Sequence, residues 1–396
     1  MKFFPVVWGF IPSFRMKGLW AMGTKHDLVI IGANEFQLPL IRKAHDLGYT
    51  THVFAWKCGD EGELAADRFY PISVTEKEAI LEVCKSIEPC GVCSIASDVA
   101  NLTVNFVRRG LGMTSNTAQC DLLTTNKFLM REALESNGIP VPGHWLVSNP
   151  ALDLSIFDGE IPYPLIVKPV DRSGSRAISR VENYEQLANA IREARSQSFR
   201  GEAIVEEYIE GEEYSCETIS YESKHNVLAI TKKYTSGYPR YIESGHDQPS
   251  GLSAELVEKV KDAVIEGLDA LGVVFGASHT EFFVTPEGEM RIVEIGARMG
   301  GDYIGSDLVK LSTGYDFLEM VIDISCGRAP RFFVHPHYSA SSVRFALSDD
   351  DIRDSNPCAL QSSNRIIVRR GTKSFAAGHV ASNSSDRLGY EITAIL

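Results

Sequence analysis

The regular pattern of the chain begins near residue 27. An unbroken apolar run, Leu28-Val29-Ile30-Ile31, predicts a strand buried on both faces, and Leu38, Ile41 and Leu47 then recur at helical spacing up to Gly48. A second strand is expected over 51–55, a helix over 77–87 and a further apolar strand over 91–96. Strand, helix and strand in succession form a right-handed βαβ unit, so this part is expected to be an open, doubly wound parallel sheet. A helix over 126–137 stops at Gly138, and Pro140 and Pro142 mark a boundary behind it.

Beyond that boundary the period changes. Strand-like runs at 165–167, 177–181, 203–205, 214–220 and 227–231 surround one helical stretch at 184–197, an α+β arrangement distinct from the first domain. A long helix over 254–271 leads to two acidic strands around Glu281 and Glu294. The tail after Pro330 is strand-rich and shows no site of its own. Residues 1–24 are apolar but interrupted by Pro5 and Pro12, too short a run for a membrane span. They are expected to be an extension or an upstream start, with Met16 and Met22 as alternative initiators.

Composition narrows the function. The 396 residues suffice for about two to four domains. A net charge of −13 disfavours a phosphate-tracking nucleic-acid binder, so a polyanion would have to meet a local basic site. Of eight cysteines only Cys90 and Cys93 show a C-x-x-C spacing, with no second pair to complete a zinc site. Reduced thiols serving as apolar filler are expected, in a cytoplasmic protein without membrane attachment. Dinucleotide binding is disfavoured: Gly32 stands alone where G-x-G-x-x-G is required, and the second strand runs into Trp56 and Lys57 instead of an acid for a ribose.

Three stretches carry chemistry. Lys168 ends an apolar strand ahead of Arg172-Ser173-Gly174-Ser175-Arg176, a small cationic turn able to wrap phosphate oxygens. The window from Glu206 to Glu213 holds five carboxylates at a strand exit, where the backbone of Glu207, Tyr208 and Ile209 can pair with an adenine edge and Glu213 with ribose hydroxyls. Glu281 and Glu294 flank a turn over 285–289, so pairing their strands brings two hard oxygen ligands together, as Mg²⁺ prefers. Gly296 to Asp302 follow as a glycine-rich loop, with Arg298 placed to fork onto phosphate and Gly301 allowing close backbone approach.

The ordered set of Lys127, Gly138-Ile139-Pro140-Val141-Pro142, Lys168 with its Ser-Gly turn, Glu206 to Glu213, and Glu281 with Glu294 resembles the ATP-grasp superfamily of carboxylate ligases. The resemblance implies a Rossmann-like pre-ATP-grasp domain (25–122) followed by a two-subdomain ATP-grasp fold, with lid and linker over 123–204 and a catalytic part with C-terminal strands over 205–396. It makes Lys127 and Lys168 phosphate-binding lysines, and Ser173, Gly174, Ser175 and Arg176 the lid turn. Glu206, Glu207, Tyr208 and Ile209 become the adenine hinge, Glu213 the ribose ligand, and Glu281 and Glu294 the ligands of Mg²⁺ or Mn²⁺. Arg298 and His279 take catalytic roles. Glu243 and His246, in Glu243-Ser244-Gly245-His246, resemble the substrate loop of the amino-acid and dipeptide ligase branch, with Arg298 and Gly301 completing the substrate site.

The implied reaction activates a carboxylate with ATP to an acyl phosphate, which an amine attacks, releasing ADP and phosphate. One departure stands out: members commonly carry Glu-x-Asn at the second metal strand, whereas here Gly296 follows Glu294, leaving a water or Asp302 to replace the third ligand. A purine-pathway ligase of the same fold and a nucleotide-binding regulator without turnover remain alternatives, as does a homodimer.

Overall fold

The computed structural model describes residues 26–148, 154, 157–159, 161–174, 176–354, 364–373, 375–376 and 378–396. The expected N-terminal extension over 1–24 and the lid residue Ser175 lie outside the described residues. The first domain runs β1 (Asp27–Ile31), α1 (Leu38–Asp46), β2 (Thr50–Phe54), α2 (Glu61–Ala65), β3 (Arg68–Tyr70), α3 (Lys77–Ile87), β4 (Gly91–Cys93) and α4 (Asp98–Gly110). Next come α5 (Ala118–Thr125), α6 (Lys127–Ser136), β5 (His144–Val147), β6 (Leu165–Pro169), β7 (Ser179–Val181), α7 (Tyr184–Gln197) and β8 (Ala203–Glu207). The remainder runs β9 (Glu212–Tyr221), β10 (Lys224–Thr235), β11 (Glu243–Gln248), α8 (Ala254–Ala270), β12 (Gly276–Val284), β13 (Met290–Gly296) and a π-helical turn at Ile304–Leu308. It ends with α9 (Val309–Thr313), α10 (Phe317–Ser325), β14 (Ala340–Ala346), α11 (Asp349–Asp354), β15 (Arg365–Thr372) and β16 (Gly389–Ile395).

The first sheet is parallel in the order β3-β2-β1-β4. Its apolar run works on both faces because side chains alternate along a strand. Leu28 and Ile30 pack in the layer shared with α1 and α10, while Val29 and Ile31 pack toward Ile80, Ala100 and Val104 of α3 and α4. The first of these layers also takes in Ile219 and Ala229, so α10 wedges the parallel sheet against β9 and β10. Phe317, wholly buried there, contributes about 1.5–3 kcal/mol by leaving water.

Strands β5, β8, β6 and β7 form a small antiparallel sheet covered by α7. The lid boundary expected between 204 and 205 therefore falls inside β8 (Ala203–Glu207), which belongs to this sheet. An eight-stranded sheet follows in the order β13-β12-β9-β10-β11-β14-β16-β15, so the C-terminal strands extend the sheet that carries Glu281 and Glu294. Among the described residues no helix is long and apolar enough to cross a membrane.

Candidate active site

The small sheet and the large sheet face each other across a cavity of about 480 Å³. Lys127, Lys168, Glu206, Glu207, Tyr208, Ile209, Glu213, Glu243, Glu281 and Glu294 all line it. Ile166, Ile178 and Phe283 add apolar wall. The structure thus gathers into one cleft ten residues that stand up to 167 positions apart in the chain, Lys127 being the first and Glu294 the last.

Each cation in the cleft is set by local structure. Asn126 caps α6, accepting a hydrogen bond from the Leu129 N–H at 3.0 Å, which fixes Lys127 at the first helical position. The Lys127 Nζ donates to the Arg172 carbonyl at 2.8 Å and lies 3.0 Å from Glu294 Oε2. On β6, Lys168 Nζ lies 2.5 Å from Glu206 Oε2, and Arg131 of α6 approaches the other carboxylate oxygen at 2.8 Å. Burial opposes the charge on Glu206, yet Arg131 and Lys168 hold it below the usual carboxylate range. Burial in turn pushes Lys168 down, against the pull of Glu206.

The acidic wall follows from strand register. Glu281 of β12 pairs directly with Glu294 of β13 across the Thr285 to Glu289 turn, which puts the two carboxylates side by side. Lys233 on β10 reaches between Glu281 and Glu213, 2.6 Å from each. Burial would push Glu281 up, but Lys233 and then His279 hold it well below the ordinary value, so it is ionised. Glu213, buried beside Glu281, is pushed up instead. Lys233 itself is raised well above its ordinary value, because Glu213, Glu281 and Glu243 outweigh its desolvation. Two hard-oxygen donors opening onto a cavity suit Mg²⁺, which takes few protein carboxylates and fills the rest with phosphate and water. Asp302 does not supply the third ligand at the Gly296 position. It is committed to Arg387 in a bidentate pair, and a side chain at Gly296 would meet Asp98 and Arg298.

A second constellation stands behind the metal strands. His279 pairs across β12 and β9 with Glu217, whose carboxylate contacts Nδ1 and accepts from the Gly300 N–H at 2.9 Å. Glu217 is fully buried. Burial opposes a charged imidazole, yet Glu217 and then Glu281 lift His279 to about 9. Arg298 extends from the loop after β13, and Asp98 at the start of α4 holds its Nε at 2.9 Å. Asn101 of the same helix donates to the Ala297 carbonyl at 2.8 Å, so the first domain orients the loop after β13.

Of the remaining predicted residues among those described, only Glu243 lines the cavity. Ser173, Gly174 and Arg176 lie in the turn between β6 and β7, apart from the cavity lining. Glu243 and His246, expected on a loop, stand on β11 inside the large sheet. Glu243 receives the Ser384 hydroxyl. The His246 ring is buried with neither nitrogen hydrogen-bonded, its Nε2 lying 3.6 Å from Asp302 Oδ2. Gly301 sits in the Arg298 loop with open space around its Cα, and only the Ala96 methyl comes near, at 3.6 Å from where a Cβ would stand. Sequence reasoning missed Glu217, Lys233, Arg131, Asp98 and Arg387. Glu217 left one signal, a third carboxylate of its strand after Glu212 and Glu213, set among the small and apolar residues from Ser215 to Ile219.

Residues 161–307 match the ATP-grasp domain family. An L-arginine-specific L-amino acid ligase of Bacillus subtilis is 28% identical over 274 residues, 66% of this chain and 63% of that protein. The chain thus spans less than two thirds of that relative. A D-alanine--D-alanine ligase of Ectopseudomonas mendocina is 25% identical over 224 residues, 54% of this chain and 69% of that protein. The crystal structure of an L-amino acid ligase from Bacillus licheniformis superposes with a TM-score of 0.76 at 23% identity, covering 93% of each chain. Residues 161–307 thus match the ATP-grasp domain, and the fold of an L-amino acid ligase is shared along nearly the whole chain.

Proposed function

We propose that the protein is an ATP-dependent carboxylate-amine ligase that activates an acid as its acyl phosphate and joins it to an amine, with amino acids as the substrate class. The observation that carries this reading is the cross-strand pair of Glu281 and Glu294, open to a cavity that also receives Lys127 and Lys168. The ligases among its relatives support it.

In this reading the chain positions ATP and supplies fixed charge, which is most of what phosphoryl transfer asks of a protein. The backbone of Glu207 to Ile209 binds the adenine edge, with Ile166 and Phe283 against its faces. Glu213 takes the ribose once Lys233 yields, and Lys127 and Lys168 neutralise the phosphates. Glu281 and Glu294 would hold Mg²⁺, which when bound offsets charge on the transferred group. Arg298, locked in place by Asp98, steadies that group and the acyl phosphate. The Gly300 backbone and the His279 imidazolium, both held by Glu217, give the same loop a fixed positive face. Glu243 and His246 are placed to take the polar end of an amino acid. A cavity of about 250 Å³ lined by Phe36, Tyr303, Phe345, Arg387 and Tyr390 offers room for its side chain.

The test is a phosphate-release screen with paired amino acids and Mg²⁺, followed by product mass. Release that requires both an acid and an amine, with a condensed product, is expected. ADP formation that ignores the amine across the panel would overturn the ligase reading.

A further inference from the structure

We propose that Cys90 and Cys326 form a thiol modification site, a dithiol that a low-molecular-weight disulfide oxidises to an intramolecular disulfide. The C-x-x-C spacing of Cys90 and Cys93 is incidental: the Cys93 sulfur is buried and faces the Val29 carbonyl at 3.8 Å. The partner of Cys90 comes from 236 positions further on, where Cys326 ends α10, and the two sulfurs stand 3.7 Å apart.

The approach is fixed by backbone. The Cys90 N–H donates to the Asp27 carbonyl at 2.9 Å, the Cys326 N–H to that of Ile322 at 3.1 Å. A Cβ on Gly91 would lie 2.6 Å from Ser325 Oγ and 2.9 Å from Cys326 Sγ, so only glycine lets the end of α10 settle on the start of β4. Both cysteines keep partial exposure, which admits a small reagent. Bringing the sulfurs from 3.7 Å to the covalent distance of about 2.05 Å is within reach of side-chain rotation.

The surroundings make the pair unequal. The Cys90 thiol and the Ser325 hydroxyl lie 3.7 Å from Cys326 Sγ, and Tyr49 Oη lies at 3.9 Å, itself accepting from Arg328 at 2.7 Å. Asp323 faces away from the sulfurs, engaged by Arg328 and Arg331. The Cys90 hydrogen bond, followed by Ser325, the Arg328 charge and Tyr49, brings Cys326 down to about 6, while Cys326 and burial push Cys90 far up. The Cys90 thiol also donates to the Asp27 carbonyl at 3.1 Å, which keeps its proton, so Cys326 is the attacking thiolate and Cys90 the resolving thiol. Other described cysteines are raised: burial takes Cys84, Cys93, Cys120 and Cys216 to about 12, and Asp60 raises exposed Cys58.

Cys326 sulfur attacks one sulfur of the small disulfide, its S–S bond breaks, and the first thiolate leaves and takes up a proton. Cys90 then loses its proton and attacks Cys326 Sγ, expelling the second thiol. Two protein thiols and one small disulfide become one protein disulfide and two small thiols. The new bond ties the parallel sheet to α10.

The experiment treats the reduced full chain with excess oxidised glutathione near neutral pH, alkylates residual thiols, and maps all eight cysteines by peptide mass. The expected result is one peptide pair linked through Cys90 and Cys326, formed before Cys58 reacts and reversed by dithiothreitol, with a higher melting temperature. Cys90→Ser is expected to retain glutathione on Cys326. Glutathione on Cys58 with Cys90 and Cys326 both alkylated would overturn the proposal, as would Cys90→Ser carrying none on Cys326.

Discussion

Replacing Glu217 by Gln isolates the charge that holds His279 protonated, because the amide keeps the shape of the carboxylate. Lifting the imidazole from 6.5 to about 9 corresponds to about 3 kcal/mol of preference for its charged form. A folded-state value above the unfolded one stabilises the protein fully below the unfolded value of about 6.5, and that contribution is lost as pH rises through about 9. The wild type is therefore expected to lose about 3 kcal/mol of unfolding free energy over that window that the variant does not lose. The variant also forfeits one hydrogen bond, since the Gln amide cannot accept from both the His279 ring and the Gly300 N–H in every orientation. That costs about 1–3 kcal/mol, but equally at every pH. Urea unfolding of both proteins across the window, in metal-free buffer, separates the two effects by slope, and nuclear magnetic resonance of labelled histidine reads the titration directly. A His279 in the variant that still titrates near 9, with an unchanged slope, would refute the coupling.

Other perturbations bear on the cleft. Glu281→Gln with Glu294→Gln is expected to abolish ADP formation while thermal unfolding stays cooperative, and full turnover would remove both from the metal site. Lys168→Met should weaken ATP binding by about tenfold to a hundredfold, the worth of one charge-assisted contact, as read by calorimetry; unchanged affinity would count against phosphate contact. Gly300→Ala places a Cβ 2.5 Å from Glu217 Oε1 and 2.7 Å from His279 Nδ1, so a loss of about 1–3 kcal/mol in stability is expected, and a neutral result would contradict the packing. Arg387 holds Asp302, and Arg131 with Lys168 hold Glu206, below the usual carboxylate range, though burial opposes both. Their stabilisation exists above about pH 4 and drains as pH falls further, so acid unfolding should steepen there; stability flat to about pH 2 would be the contrary result.

The parts of the site legible in the sequence are those fixed by short-range structure. Thr285 to Glu289 forms a tight turn, so counting back along two strands brings Glu281 to within one residue of Glu294, and a bulge between Glu281 and Phe282 completes the pairing. Lys168 ends an apolar strand, and Lys127 follows a capping Asn126, both visible as local patterns. Glu217, Lys233 and Asp98 act through partners brought in by long-range register, such as β9 against β12, which no local period encodes. Glu243 to His246 read as a loop by their resemblance to the substrate loop of the amino-acid and dipeptide ligase branch. In the structure they join the large sheet, where a Cβ on Gly245 would come within 2.7 Å of the Val343 carbonyl, so the neighbouring strand itself requires glycine there. The tail showed no site alone, yet Arg387 precedes an inner strand of the large sheet and secures Asp302.

The central claim is that the cleft passes the terminal phosphoryl group of ATP to a carboxylate. Turnover of a carboxylate substrate labelled with oxygen-18 in both oxygens, with mass analysis of the released phosphate, tests it most directly. One labelled oxygen transferred into each phosphate is the predicted result. Phosphate that carries no label, with both labelled oxygens left on the acid, would contradict it.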